Sequence, residues 1–527
     1  MMRSPLLTAP QDAPLAVSVT AEPAAIGAFV AYLLVVLAIG VFAARFSSTG
    51  VSEFFVGGRK MHRFVVALSA VVSGRSAWLL LAVSGMAYTR GASAIWTVAG
   101  YTVVELLLFL FYAPRLRRFA ERYDTVTLPD FFDTRLGGSP AVRLVLAGII
   151  LIFMVGYVAS QFVGGGKAFA GSFGVSQTSG MLLTAGIVLA YTVMGGFLAV
   201  SLTDMVQACL MVVALVALPI AAIVSQGGPA QFAGELRAID PTLLDPTALA
   251  VGAAIGFLGI GLGSPGNPHI IVRYLSIADA RQLRYAGMVA TVWNVVMGAG
   301  AVAVGLAGRV AFPDVALLPG GDVETVYPAL AQRHLPPVLF GIVVSSIFAA
   351  IMSTADSQLL VGASALVRDV YQKVVRAERP VPPHRLVWLS RAAVVGIVLV
   401  SIVVGMLADQ LVFWLVLFAW AGLGAALGPT SLLAIFWRGT TRAGVLAGLV
   451  AGAGTVIAWY FTPALKALIY ELIPGFAVGL VVTAVVSLLT RPVEDVGEMF
   501  HVMAGDGTGG GRPAPAERHR PPSPGSP

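Results

Sequence analysis

Apolar residues in this chain neither alternate nor recur as narrow stripes. They come in continuous runs of about 17–30 residues, separated by short polar linkers. About thirteen runs follow one another, near 24–44, 64–88, 92–112, 142–164, 178–194, 203–225, 247–265, 286–311, 337–366, 386–407, 410–437, 443–462 and 475–490. Each is long enough to cross a hydrocarbon core of roughly 30 Å as a helix rising about 1.5 Å per residue. The other spanning solution, a closed β-barrel, needs a period-two alternation that the runs lack. The pattern predicts an all-α polytopic membrane protein.

The linkers add an orientation. Basic residues concentrate in the first, third, seventh, ninth and eleventh: Arg59, Lys60 and Arg63; Arg115, Arg117, Arg118, Arg122, Arg135 and Arg143; Arg273, Arg281 and Arg284; Arg368, Lys373, Arg376, Arg379 and Arg385; Arg438 and Arg442. Other linkers hold about one or two each, such as Arg90, Lys167, Arg237, Arg333 and Lys466. The positive-inside rule then places the N-terminus outside and the C-terminus in the cytoplasm of a cell whose inner membrane holds the protein. The expected organisation is an extracellular segment 1–23, a transmembrane domain 24–490 and a cytoplasmic tail 491–527. That tail is rich in Gly and Pro and is expected to be disordered. The first twenty residues do not read as a cleavable signal peptide.

Composition narrows the function. Of 527 residues, 57% are hydrophobic and 11% charged, against about 25% charged in soluble domains. No stretch is left for a large soluble domain. The net charge of +7 follows from topology and implies no nucleic-acid partner. A single cysteine, Cys209, excludes an intramolecular disulfide and a cysteine metal cluster. No nucleophile–base pair or phosphate loop stands out, so neither an enzyme nor a resident cofactor is expected.

Few ionisable residues remain at membrane depth: Arg75, Glu105, Asp204 and Asp356. Such residues face the bundle interior and mark pathways or partners. Arg75 and Asp356 fall at similar depth, with Glu105 slightly nearer the basic side, so either carboxylate is within reach of Arg75. Depth does not decide between them; with a cation beside Ser353 and Thr354, Asp356 is the favoured partner. Asp204 opens the sixth run, where a carboxylate also suits a helix N-terminus.

Two runs are interrupted. "SGRS" at 73–76 places glycine and serines at the centre of the second, and "GFLGIGLGSPGNPH" at 256–269 breaks the seventh, five runs later. Unwound backbone inside a membrane belongs at a cavity or in buried protein. Interruptions at matching positions of two halves point to a transporter's central site. The repeats would span about 64–225 and 247–437 in opposite topology. The ninth run, "VVSSIFAAIMSTADSQLL" (343–360), lines up small and hydroxyl residues at intervals of four. That face suits helix packing. Its Ser353 and Thr354 hydroxyls also suit a small hard cation.

At these residues the chain resembles the sodium:solute symporter family, and most of all its bacterial sodium/proline symporters. The shared stretches, over roughly 25–490, are "FFVGGRK" (54–60), "TLPDFF" (127–132), "GGFLAVSLTDMVQA" (195–208), "GNPHIIVRY" (266–274), "AAIMST" (349–354), "FAWAGLGAALGP" (418–429) and "IPGF" (473–476). The resemblance implies a leucine-transporter-type fold and sodium-driven uptake of a small, amino-acid-like solute by alternating access. Its sodium site would use carbonyls near Val72 and Arg75, the carbonyl of Ala350, and the hydroxyls of Ser353 and Thr354. Asp204 matches an aspartate implicated in ion coupling in that family, and Asp356, which differs from the proline symporters, is expected to join it in coupling. Ser76, Trp78, Tyr157, Ser264 and Pro268 would border the solute. The proline symporters have an aspartate where this chain has Gly74, an uncharged residue at Arg75, and aromatic residues at Ile260 and Ser264. Proton-coupled or sodium-independent transport with Arg75 in the cation role, and a membrane sensor, are the alternatives.

Overall fold

The structure, a computed structural model, describes residues 22–44, 56–377, 379, 381–407, 411–493 and 496–505. Among the described residues each of the thirteen apolar runs is largely helical. Among the described residues, nine helical stretches are long and apolar enough to cross a membrane, and three shorter apolar helices accompany them. The helices used below are α1 (Pro23–Ala44), α2 (Arg63–Ala77), α3 (Ile95–Leu107), α4 (Ala113–Tyr123), α5 (Leu128–Arg135), α6 (Pro140–Phe173), α7 (Gln177–Ser225), α8 (Val251–Gly259), α9 (Pro268–Ser276), α10 (Leu283–Ala311), α11 (Pro337–Ser364), α12 (Pro383–Met406), α13 (Val412–Phe436), α14 (Arg442–Tyr460), α15 (Leu472–Leu488) and α16 (Val496–Ala504).

Glycine sets where the long stretches divide. The 61-residue stretch Arg63–Tyr123 is interrupted at Gly91, whose φ is +66°. A Cβ there would stand 2.5 Å from the Leu243 Cα, so no other residue lets the two backbones meet. In α7 the break falls at Gly196 (φ 66°, ψ −179°), in a region that essentially only glycine enters.

Burial separates centre from periphery. The most apolar windows of α11 and α13 are each 83% buried, against 22% in α1 and 28% in α12. The outer helices therefore face lipid with the exposed Leu, Val and Phe side chains that water would penalise. α2 lies at the centre, in contact with α7, α9, α10 and α11.

Several basic residues assigned to linkers are in fact docked. Arg135 is fully buried and donates to the Ala434 carbonyl at 3.1 Å, and Arg117 donates to the Ile277 carbonyl at 2.8 Å. Arg143 bridges Asp130, Asp133 and Asp369. Each guanidinium ties a helix end to a neighbour instead of solvating a loop. Within 491–527, expected to be disordered, Val496–Ala504 forms α16, whose terminal carbonyls accept from Arg118. The segment 1–21 and the residues after 505 lie outside the described residues.

Candidate functional site

The break in α2 falls at Ser76, with φ 51° and ψ −172°. Its freed amides find partners locally: Trp78 N–H donates to Ser76 Oγ at 3.1 Å, and Ala77 N–H to Gln161 Oε1 of α6 at 3.1 Å. Between α8 and α9, Ile260–Gly266 tightens into a 3-10 turn and Asn267 is extended. There Trp420 Nε1 donates to the Ile260 carbonyl at 2.8 Å and Ser431 to the Pro265 carbonyl at 3.2 Å. Both interruptions are thus held by side chains of α6 and α13, as unwound backbone in a membrane requires.

Next to the first break, oxygens converge. The Ser353 and Thr354 hydroxyls each donate to the Val72 carbonyl at 3.3 Å, and Ser353 also to the Ala350 carbonyl at 3.1 Å. All four residues are fully buried. Two carbonyls and two hydroxyls make a dry set of hard oxygen donors, the chemistry a small alkali cation requires. Arg75, expected to lend its carbonyl here, has that carbonyl accepting from Trp78 N–H and its side chain turned elsewhere.

The expected Arg75–Asp356 pair does not form. Arg75 pairs with Glu105 of α3, and its Nε donates to Asn294 Oδ1 of α10 at 2.8 Å. Asn294 Nδ2 donates in turn to Glu105 Oε2 at 2.9 Å. The reason is azimuth. Ser69 and Ser73, four residues apart, share the α2 face that turns to α7 and α11; Arg75 lies two residues on, about 200° round the helix.

That serine face meets a second buried cluster. Asp204 Oδ2 accepts from Ser69 Oγ at 2.6 Å, Arg273 Nη2 at 3.2 Å and Ser73 Oγ at 3.4 Å. Arg273 also donates to Ser69 Oγ at 3.0 Å, to the His269 carbonyl at 2.6 Å and to Ser357 Oγ. Ser357 Oγ donates to Asp356 Oδ1 at 2.9 Å. Two carboxylates thus face one guanidinium, and Asp204 Oδ1 has no partner among the described residues. Asp204 does not serve a helix N-terminus: it lies inside α7, fully buried, eight residues beyond the Gly196 break.

Trp78 and Tyr157 border a narrow, nearly filled central pocket with Gly74, Arg75, Tyr101, Ile260, Val416, Leu417 and Trp420. The Tyr157 hydroxyl stands beside Ser76. Ser264 is buried with its hydroxyl unpartnered and is not on the pocket wall. Pro268 is not brought to this pocket. It lines a separate cavity of about 40 Å³ with Arg273, Ser357, Thr127 and Asp369, toward the basic face. Toward the opposite face a vestibule of about 470 Å³, bordered by Arg90, Lys466 and Glu471, shares Ile260 and Leu417 with the central pocket.

Arg273 and Asn294 are the participants that sequence reasoning missed. Arg273 falls beyond the apolar run that ends near 265, so it read as a linker residue. Its place in "GNPHIIVRY", in helical register behind the break, was the available signal.

Comparison with known proteins fits this geometry. The sequence profile of a family described as "Sodium:solute symporter family" matches residues 54–452. The osmoregulated proline transporter OpuE of Bacillus subtilis (strain 168) is 38% identical over 477 residues, 90% of this chain and 96% of that protein. The high-affinity proline transporter PutP of the same organism is 37% identical over 469 residues, 88% and 98%. A sodium/proline symporter of Staphylococcus aureus (strain JH9) is 38% identical over 478 residues, 87% and 91%. Among solved structures, the substrate-bound outward-open state of a Na+-coupled sialic acid symporter superposes with a TM-score of 0.76 at 18% identity, covering 89% of this chain and 99% of that one. MhsT in complex with L-phenylalanine gives 0.50 at 14% identity, covering 81% and 98%. These structural likenesses carry the fold alone.

Proposed function

The chain belongs to the sodium:solute symporter family, and from that premise we propose that its solute is amino-acid-like, proline being one candidate, and that it moves inward with sodium. The activity itself is secondary active, sodium-coupled symport of a small organic solute by alternating access, in a multi-pass inner-membrane protein that is not an enzyme. In the proposed reading sodium lies among the Val72 and Ala350 carbonyls and the Ser353 and Thr354 hydroxyls. Asp204 and Asp356 couple ion movement to the helices around Arg273, and Trp78, Tyr157 and Ser76 border the solute. The N-terminus is outside and the C-terminus cytoplasmic, so the cavity at Pro268 and Arg273 faces the cytoplasm.

The observation that carries the sodium site is the convergence of two hydroxyls on the Val72 carbonyl, one turn before the Ser76 break. Each hydroxyl lies where a hard cation's hydration shell can be replaced. The Arg75 charge is met by Glu105 and Asn294, which supports a free cation among the hydroxyls over a guanidinium standing in for it. Two observations suit an amino-acid-like solute: the aromatic pocket, and the names of the proline-transporting relatives.

The test is sodium-gradient-driven uptake of L-proline and other amino acids into proteoliposomes, with the Thr354→Ala variant beside the wild type. Loss of one of about four oxygen ligands should weaken apparent sodium affinity about tenfold or more, with expression and fold retained. An unchanged sodium affinity removes Thr354 from the site. Uptake indifferent to an imposed sodium gradient for every solute overturns the reading.

A further inference from the structure

We infer that the central pocket reads its solute by a carboxylate, received by the Arg75 guanidinium, which Glu105 and Asn294 hold in place. This rests on the reading of that pocket as the solute site and adds the chemical group the site recognises.

A guanidinium carries five N–H donors. In Arg75, Nε is committed to Asn294 Oδ1 at 2.8 Å and one Nη2 hydrogen to Glu105 Oε2. Nη1 reaches the Gly74 carbonyl only at 3.4 Å. One hydrogen on each terminal nitrogen is left over, in a side chain that is 1% exposed. The guanidinium carbon stands 3.7 Å from the centre of the Tyr101 ring, so that face is closed and the group is fixed in orientation. Arg75 nevertheless forms part of the pocket wall, between Gly74 and Trp78.

The rest of the wall has the same deficit. Trp78 Nε1 and the Tyr101 hydroxyl are buried without a partner among the described residues. Buried donors without acceptors cost free energy. A carboxylate supplies what is missing, with two oxygens and about four lone pairs, and the fork of a guanidinium matches it bidentately. Trp78, Tyr157 and Trp420 then offer ring faces to the apolar part of the solute.

A merely structural ion pair predicts something different. It needs no spare donors and no place on a cavity wall, and apolar residues of similar volume substitute for such pairs at little cost. Glu105 and Asn294 approach Arg75 from α3 and α10, Glu105 one helical turn beyond Tyr101 of the pocket wall. They act as positioning residues: they compensate the charge and leave the outer donors free.

The experiment pairs acids with carboxylate-blocked counterparts on the purified full chain in saturating sodium. L-proline, L-alanine and propionate are compared with L-proline methyl ester, L-alaninamide and propionamide, by thermal stabilisation titrated to half-effect. The set is extended to the other amino acids and short monocarboxylates. At least one acid should stabilise the protein, with its blocked counterpart about tenfold weaker or more. The double variant R75Q/E105Q keeps the net charge and lets two amides pair. It should retain stabilisation by sodium alone and bind the acid about 10–100-fold more weakly, the worth of a charge-assisted bond. A blocked compound binding as well as its acid, no acid binding at all, or a double variant with wild-type affinity for the acid each overturns the inference. If the double variant does not fold, the comparison of acid with ester on the wild type still decides. Sodium titrated without solute reports the transport reading separately, because it requires no carboxylate.

Discussion

Arg273→Met tests whether the buried cluster at the basic end is held by charge balance. The substitution keeps a stem of related length and removes the guanidinium that faces Asp204 and Asp356. At 3.2 Å and an effective dielectric of 20, the Arg273–Asp204 attraction is about 5 kcal/mol. Desolvation of both groups opposes it, and breaking a buried pair by removing one partner costs about 3–5 kcal/mol. The lost bonds to Ser69, Ser357 and the His269 carbonyl lie inside that figure. Most of the loss should come from a carboxylate left buried without its counter-charge. Adding Asp204→Asn to Arg273→Met should therefore recover more than half of it. The assay is reversible SDS titration in mixed micelles for the wild type, both single variants and the double, read as a cycle. A loss below about 1 kcal/mol for Arg273→Met, or an Asp204→Asn change that adds to the loss, would show that charge balance is not what holds the cluster.

Other consequences follow from particular contacts. Gly196→Ala forces a Cβ into φ 66°, ψ −179°, at a cost of about 1–3 kcal/mol in the same titration; a neutral result would mean that α7 is not broken there. Glu324 accepts from Lys167 Nζ at 2.6 Å and from the amides of Val412 and Phe413 at 2.9 Å each, and so caps the start of α13. Glu324→Gln should cost about 2 kcal/mol by weakening charge-assisted bonds, and SDS midpoints equal to wild type would refute the cap. Asp130 is buried, which pushes its carboxyl up, but the guanidinium groups of Arg368 and Arg143 outweigh burial and hold it below the ordinary 3.8. Its contribution is therefore complete above about pH 4 and is lost as pH falls below 3.8. Asp130→Asn should lower stability at pH 7 and flatten the acid limb measured by thermal denaturation; an unchanged limb would refute the assignment.

What the chain reveals before folding depends on which coordinate a residue's role requires. The helices were legible because a run of apolar residues needs no partner to be recognised, and the interruptions at 73–76 and 256–269 because glycine and serine cluster there, whereas the break at Gly196 lies between two runs and was not legible. Burial was legible too: Arg75, Glu105, Asp204 and Asp356 all lie inside the bundle. Azimuth was not. Ser73 and Arg75 are two residues apart and at similar depth, yet one meets Asp204 and the other Glu105. A boundary error hid Arg273: the apolar run ends within the 3-10 turn Ile260–Gly266, while the buried helix resumes after it at Pro268. Asn294 left no trace at all, because an uncharged amide in an apolar run shifts neither hydropathy nor charge, and only its position opposite Arg75 gives it a function. Partnerships inside a membrane are therefore set by rotation about the helix axis, which burial constrains only once the neighbouring helices are in place. The Arg75–Glu105 pair is fixed by α3 and α10 flanking the Arg75 side of α2, where a Cβ on Gly74 would stand 3.0 Å from Ile270 and 3.8 Å from Glu105 Oε1.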